Sequence, residues 1–119
     1  MVRVSSFGVR RPDGVPVADA VLDCRALFDP MGRRLGRLGC GRHPLIAARV
    51  LASEGASELL NRAFAAVEGG AQSVAFGCQW GVHRSVALTE ELVVRLQAAG
   101  YEVEVEHRDL IWERWPRGY

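Results

Sequence analysis

Residues 73–107 read SVAFGCQWGVHRSVALTEELVVRLQAAGYEVEVEH, and the architecture is carried by this stretch. Its first part holds the apolar run SVAF (Ser73–Phe76), and QSVAFG (Gln72–Gly77) reads as a strand. From His83 to Ala99 the apolar positions Val86, Leu88, Leu92, Val93 and Leu96 return at helical spacing, and Glu91 with Arg95 makes an outward i,i+4 pair. Gly100 breaks that helix. Tyr101–His107 then alternates strictly, which predicts a strand with Tyr101, Val103 and Val105 inward and three glutamates on a wet face. Strand, helix and strand in roughly thirty residues form a βαβ unit, which favours parallel strands with a right-handed crossover. Ligands of such sheets bind beyond the carboxyl ends of the strands, where helices begin. Gly77–Ser85, GCQWGVHRS, lies at such an end.

Upstream, VRVSSFG (Val2–Gly8) reads as a short strand closed by the turn-rich RRPDGVP, and AVLDC (Ala20–Cys24) as a buried strand. Arg25–Arg42 is loop-like, rich in glycine and arginine, and a loop of that length in a small domain is usually functional or mobile. Pro44 opens a helix through Ala52 that Gly55 stops. A second helix, Ser57–Glu68, places Leu59, Leu60, Ala63, Phe64 and Val67 inward and ends at Gly69-Gly70. The expected fold is therefore a single domain over residues 1–119: a three-layer α/β arrangement with a small, mostly parallel sheet of about four strands and helices on both faces.

Composition narrows the function. Half the residues are apolar, a quarter are charged, and a net charge of +1 gives no overall steering toward nucleic acid or membrane. All fifteen basic residues are arginine, which excludes a Walker A nucleotide site and a Schiff-base lysine. Cys24, Cys40 and Cys78 are odd in number, far apart and without a C-x-x-C pair, as suits free thiols in a reducing cytoplasm. The N-terminus lacks the apolar core of a signal peptide, and no apolar run approaches the ~20 residues of a membrane span, so a cytoplasmic protein without a membrane partner is expected. A metal site from Cys40, His43, Cys78, His83 and His107 would need distant residues to meet; no metal and no cofactor is expected.

The turn has the parts of an anion cradle. The helix behind it presents unpaired N–H groups and about half a positive charge at its N-terminus. Gly77 and Gly81 permit backbone in which successive amides converge, Arg84 supplies a bidentate fork, and His83 or Ser85 a further donor. Four or five charge-assisted bonds of ~1.5–3 kcal/mol each suffice to hold a phosphomonoester at micromolar strength.

Two known patterns meet here. Cys78 to Arg84 and Ser85 spells Cys-x5-Arg-Ser, which resembles the phosphate loop of protein tyrosine phosphatases, where the cysteine attacks phosphorus and the arginine clamps the oxygens. Gly77 stands where those enzymes usually carry histidine, and no WPD-like acid segment is visible. The second resemblance covers nearly the whole chain: SFG (Ser6–Gly8), VLDCRALFDP (Val21–Pro30), GCQWGVHRSV (Gly77–Val86) and YEVEVEHRDL (Tyr101–Leu110), in that order, are similar to blocks of the C-terminal domain of the RapZ family. That resemblance implies a domain that senses a phosphosugar and binds RNA, ordinarily joined to an N-terminal P-loop domain; the missing Walker lysine implies a stand-alone form here. It maps the ligand pocket onto Asp23, Arg25, Cys78, Gln79, His83 and Arg84, with Trp80, Gly81, Val82 and Ser85 completing the loop. Gln79, Trp80 and Val82 depart from the family's usual Thr, Gly and Lys, and Met31 stands where a pocket histidine would sit. Asp23 accepts from a sugar hydroxyl or amine, or pairs with Arg25; Trp80 stacks on a ligand face, or packs on the core.

His107, Arg108 and Asp109 either line the same end of the sheet or form a salt-bridged terminus that fixes the Arg84 loop. Arg10 and Arg11, the cluster Arg33, Arg34, Arg37 and Arg42, and Arg114 and Arg117 in the tryptophan-bearing tail IWERWPRGY are the candidate RNA contacts; a solvated arginine-rich surface explains them as well. The expectation is a non-catalytic regulatory domain for a phosphorylated small metabolite, coupled to RNA, a protein partner or a second copy of the chain. The alternative is a phosphatase with Cys78 as nucleophile and Arg84 as clamp.

Overall fold

A computed structural model describes residues 1–30 and 34–110. Four strands, β1 (Val2–Gly8), β2 (Ala20–Asp23), β3 (Ser73–Cys78) and β4 (Val103–His107), form one sheet in the order β2-β3-β1-β4. All three neighbouring pairs are parallel, so the α/β class and the parallel four-stranded sheet agree with the sequence. The helices are α1 (Pro44–Leu51), α2 (Ala56–Glu68) and α3 (Arg84–Ala98), with a short 3-10 helix at Arg34–Leu38 inside the loop-like segment. Boundaries follow local chemistry. Pro44 opens α1 and the His43 imidazole accepts from the Leu45 N–H at 3.2 Å. At the end of α3 the chain turns through Gly100, and the Tyr101 N–H returns to the Leu96 carbonyl at 3.0 Å.

Strand order determines how the helices are distributed between the faces. The βαβ unit at 73–107 is present, but β1 lies between its two strands, so α3 crosses over β1. Both helix-bearing connections, β2 to β3 and β3 to β4, step the same way across the sheet, and right-handed crossovers then lay their helices on one face, where the sequence reading expects helices on both. All three helices accordingly touch one another and share one core with the strand residues Val2, Val4, Leu22, Val74 and Phe76. The connection from β1 to β2 steps back the other way and holds no helix. Near it, on the opposite face, Arg108 stacks over the Phe7 ring at 5.4 Å and donates to the Gly14 carbonyl at 2.7 Å. One inward assignment is corrected: Val105 is 44% exposed, because β4 is an edge strand with cover on one side only.

The carboxyl ends of β1, β2 and β3 are bound into one rim. The Cys24 N–H bonds the Gly77 carbonyl at 2.7 Å, the Val9 N–H the Cys78 carbonyl at 2.8 Å, and the Arg10 N–H the Gln79 carbonyl at 3.1 Å. The turn after β3 is thus held from both neighbouring strands.

Candidate functional site

Between Cys78, the last residue of β3, and Arg84, the first of α3, five residues take the chain from strand backbone to helix N-terminus. Gly81 makes this possible, with φ +75, and sits so close to β1 that a Cβ there would lie 2.6 Å from the Gly8 nitrogen. Gly8 is as tightly placed, since a side chain on it would meet the Trp80 backbone. Beneath them Asp109, fully buried, accepts from the Gly8 N–H at 2.6 Å and pairs with Arg108 at 2.9 Å. His107 bridges Ser6 Oγ at 2.7 Å and Glu90 at 2.9 Å. His107, the last residue of β4, and the two residues after it therefore support the rim from below.

The backbone of the turn is left open. Among the described residues, no partner takes the N–H groups of Gln79, Trp80, Gly81 or Val82, nor those of Arg84, Ser85 and Val86 in the first turn of α3. Of these residues only Gln79 and Trp80 are not buried. Buried amides are nearly always satisfied, so a run of open donors at a helix N-terminus can take an acceptor.

Side chains frame that run. Arg84 is buried; its guanidinium donates to the Arg25 carbonyl at 2.6 Å and lies 3.5 Å from the Asp29 carboxylate. The Cys78 thiol is 3.1 Å from Ser85 Oγ, both buried. Cys24 is fully buried, and its thiol is pushed well above the ordinary range by burial first, then by Cys78 and Asp23, with Arg84 opposing. Asp23 and Arg25, at the exposed end of β2, form a forked pair with contacts of 2.8 to 3.1 Å. The Arg25 hydrogen bond holds the Asp23 carboxyl below its ordinary range against an opposing desolvation. Trp80 is 40% exposed, and Arg11 stacks on its ring at 5.2 Å while donating to its carbonyl at 3.0 Å.

The expected site residues thus gather at one end of the sheet, with different orientations. His83 turns its ring away from the open amides: Nε2 lies 2.7 Å from the Gly39 carbonyl and 3.1 Å from that of Gly36, anchoring the segment before α1. Arg37 and Arg42 are exposed; Arg34 falls in the 3-10 helix, and Arg33, Arg114, Arg117, Met31 and the two tail tryptophans lie outside the described residues. Two participants, Asp29 and Cys24, escaped the sequence reading, and Arg11 read only as part of a basic surface. Asp29 stands in the quoted FDP block and Arg11 in the turn after β1, but which side chain of a loop reaches a distant arginine or tryptophan is not written in local pattern. Cys24 read only as part of a buried strand.

Among the described residues no helix is long and apolar enough to cross a membrane. Residues 1–111 match the family model described as the RapZ C-terminal domain. The chain is 41% identical over 120 residues to a nucleotide-binding protein of Nocardioides sp., covering 92% of this chain and 39% of that one. It is 42% identical over 118 residues to a nucleotide-binding protein of Frankia casuarinae, covering 90% and 40%, and 39% identical over 120 residues to one of Ruegeria pomeroyi, covering 92% and 42%. It spans about two-fifths of the length of these curated relatives. With four ordered sequence blocks, a parallel sheet that brings them to one rim, and a family match over almost its full length, this chain belongs to the RapZ C-terminal domain family.

Proposed function

We propose that the turn Gly77–Ser85 binds the phosphoryl group of a small phosphorylated metabolite, of phosphosugar type, and that the domain acts as a regulatory module rather than an enzyme. The observation that carries this reading is the run of N–H groups at residues 79–82 and 84–86 that have no partner among the described residues, beside the buried Arg84 guanidinium. A dianion would satisfy those donors at once, and the field of α3 favours negative charge at the same point. The attached group would extend toward Asp23 and Arg25, whose exposed fork offers both an acceptor and a donor to hydroxyls or an amine, and toward the flat face of Trp80. Cys78 and Ser85 line the floor. Exposed Arg37 and Arg42 supply positive charge for an RNA or protein partner nearby. The nucleotide in the relatives' names belongs to those longer proteins, yet a nucleotide phosphate has the same chemistry, so nucleotides belong in the ligand screen.

The test is a thermal-shift screen of phosphosugars, nucleotides and inorganic phosphate. The expected result is a raised Tm with at least one phosphorylated metabolite, lost in Arg84→Ala, with no phosphate released. No shift at millimolar concentration across the panel would remove the reading. One observation favours a second reading, a cysteine-dependent phosphatase: the 3.1 Å contact between Cys78 Sγ and Ser85 Oγ sets a hydroxyl beside the sulfur that would be the nucleophile. Turnover of an aryl phosphate that Cys78→Ser abolishes would establish that alternative.

A further inference from the structure

Two of the three cysteines stand side by side. The ladder between β2 and β3 pairs Asp23 with Gly77, and it continues one step, since the Cys24 N–H bonds the Gly77 carbonyl at 2.7 Å. Cys24 therefore lies opposite Cys78 on the neighbouring parallel strand. Neighbouring strands run about 4.8 Å apart, within the Cα separation of roughly 4.4–6.8 Å over which disulfides form. Strand alternation sends both side chains to the same face, with Leu22 and Phe76, and both belong to one buried cluster. Neither is bonded to another cysteine. Cys40 sits apart, in a separate cluster with Val82 and Val86.

From this register we infer that Cys24 and Cys78 are a reversible redox pair, closed to a disulfide by a hydroperoxide. Cys78 is the attacking member: it keeps 3% of its surface where Cys24 keeps none, and it faces the first turn of α3, with Ser85 Oγ at 3.1 Å. Its sulfur takes the distal oxygen of the hydroperoxide, the O–O bond breaks, an alcohol or water leaves, and Cys78 becomes a sulfenic acid. The Cys24 sulfur then attacks the Cys78 sulfur; the S–O bond breaks, and the departing hydroxide takes the Cys24 proton as water. Two thiols and one hydroperoxide become one disulfide, one alcohol and one water. A dithiol reductant reverses it. The inference does not depend on the ligand of the turn, although the disulfide would remove the Cys78 thiol from the floor of that site.

Trypsin separates the three thiols, because cleavage after arginine puts Cys24 in peptide 11–25, Cys40 in 38–42 and Cys78 in 63–84. The folded chain is treated with hydrogen peroxide, then unfolded, alkylated with iodoacetamide and digested without reduction. The expected product is 11–25 joined to 63–84, lighter than the separate peptides by two hydrogens, with 38–42 alkylated; dithiothreitol before alkylation abolishes the joined species. In Cys24→Ser the joined species vanishes and 63–84 carries added oxygen instead. Should that variant fold poorly, the wild-type map decides alone. Full alkylation of both peptides after peroxide, a link through 38–42, or a link formed only when peroxide is added in denaturant overturns the inference. Ligand binding is measured separately by thermal shift, so a failed oxyanion reading and a failed redox pair give different results.

Discussion

Gly81→Ala tests the closest contact in the rim. At φ +75 an L-residue carries a conformational penalty of roughly 1–2 kcal/mol. The new Cβ would also sit 2.6 Å from the Gly8 nitrogen and 2.7 Å from the Phe7 carbonyl carbon, the two atoms of one peptide bond, with Asp109 Cβ at 3.2 Å. That peptide bond belongs to β1, which is hydrogen-bonded on both sides, so relief requires backbone displacement costing about 1–3 kcal/mol. Reduced freedom of the unfolded chain returns ~0.4–1 kcal/mol. The net loss is about 1–4.5 kcal/mol, against a total of roughly 5–15 kcal/mol for a domain, so the variant still folds. Gly100→Ala is the control: its φ is +93 and a Cβ there meets nothing within 4 Å, so it loses only about 1 kcal/mol. Urea unfolding at equal m-value reads the difference as separate midpoints. If Gly81→Ala costs no more than Gly100→Ala, the close packing of the turn on β1 is not what holds the turn in place.

Asp109→Ala removes the carboxylate that binds the Gly8 N–H and Arg108 in a fully buried position, and urea unfolding should record a loss of about 3–5 kcal/mol. Asp109→Asn, which keeps the volume and one acceptor, should lose about 1.5–3 kcal/mol; a loss below ~1 kcal/mol for the alanine variant contradicts the supporting role. The Glu90 carboxyl is held below its ordinary range, first by the His107 hydrogen bond, with burial opposing and the charges of His107 and Arg42 adding to the lowering. A depressed folded value contributes stability that is present above the ordinary glutamate range, near pH 4.3, and is lost as pH falls through the folded value. Unfolding midpoints from pH 7 to pH 3 should therefore fall less steeply at the acid end for Glu90→Gln than for wild type, and parallel curves would count against the contact.

The three helices, the strands and the turn between Cys78 and Arg84 were all legible, because apolar period and proline and glycine placement are local properties. What local pattern does not contain is strand order. Nothing in Val2–Gly8 says that it inserts between β3 and β4, yet that insertion sets the crossover directions, gathers the helices and leaves Val105 on an edge. The site divides the same way. Arg84 and the open amides follow from a helix starting just after a strand, whereas the turning away of His83 toward Gly36 and Gly39 depends on a loop folding back from forty-odd residues upstream. A histidine beside an arginine at a helix start reads as a ligand donor until the acceptor it already serves is visible. Asp23 likewise offered two readings, and the fork with Arg25 is present without excluding a hydroxyl at its remaining lone pairs.

Arg84 gives the sharpest way to ask whether an anion enters this rim. Its guanidinium already has one strong acceptor, the Arg25 carbonyl at 2.6 Å, and one weaker charge partner, Asp29 at 3.5 Å. The carboxylate is 40% exposed, so the pair contributes at most about 1 kcal/mol. A phosphoryl dianion approaching Arg84 must compete with Asp29 for the same donors and is repelled by it. Asp29→Asn keeps the shape and removes the charge, so phosphosugar affinity should rise by about 1–2 kcal/mol, or roughly 5–30-fold, with the effect shrinking as salt is added. Isothermal titration of both proteins at fixed ionic strength measures it, with the unphosphorylated sugar as the comparison that carries no charge. A weaker affinity in the variant would make Asp29 a direct acceptor for the ligand's hydroxyls or amine. An unchanged affinity would mean that the anion never comes within reach of Arg84, and the cradle would have to be sought elsewhere on the fold.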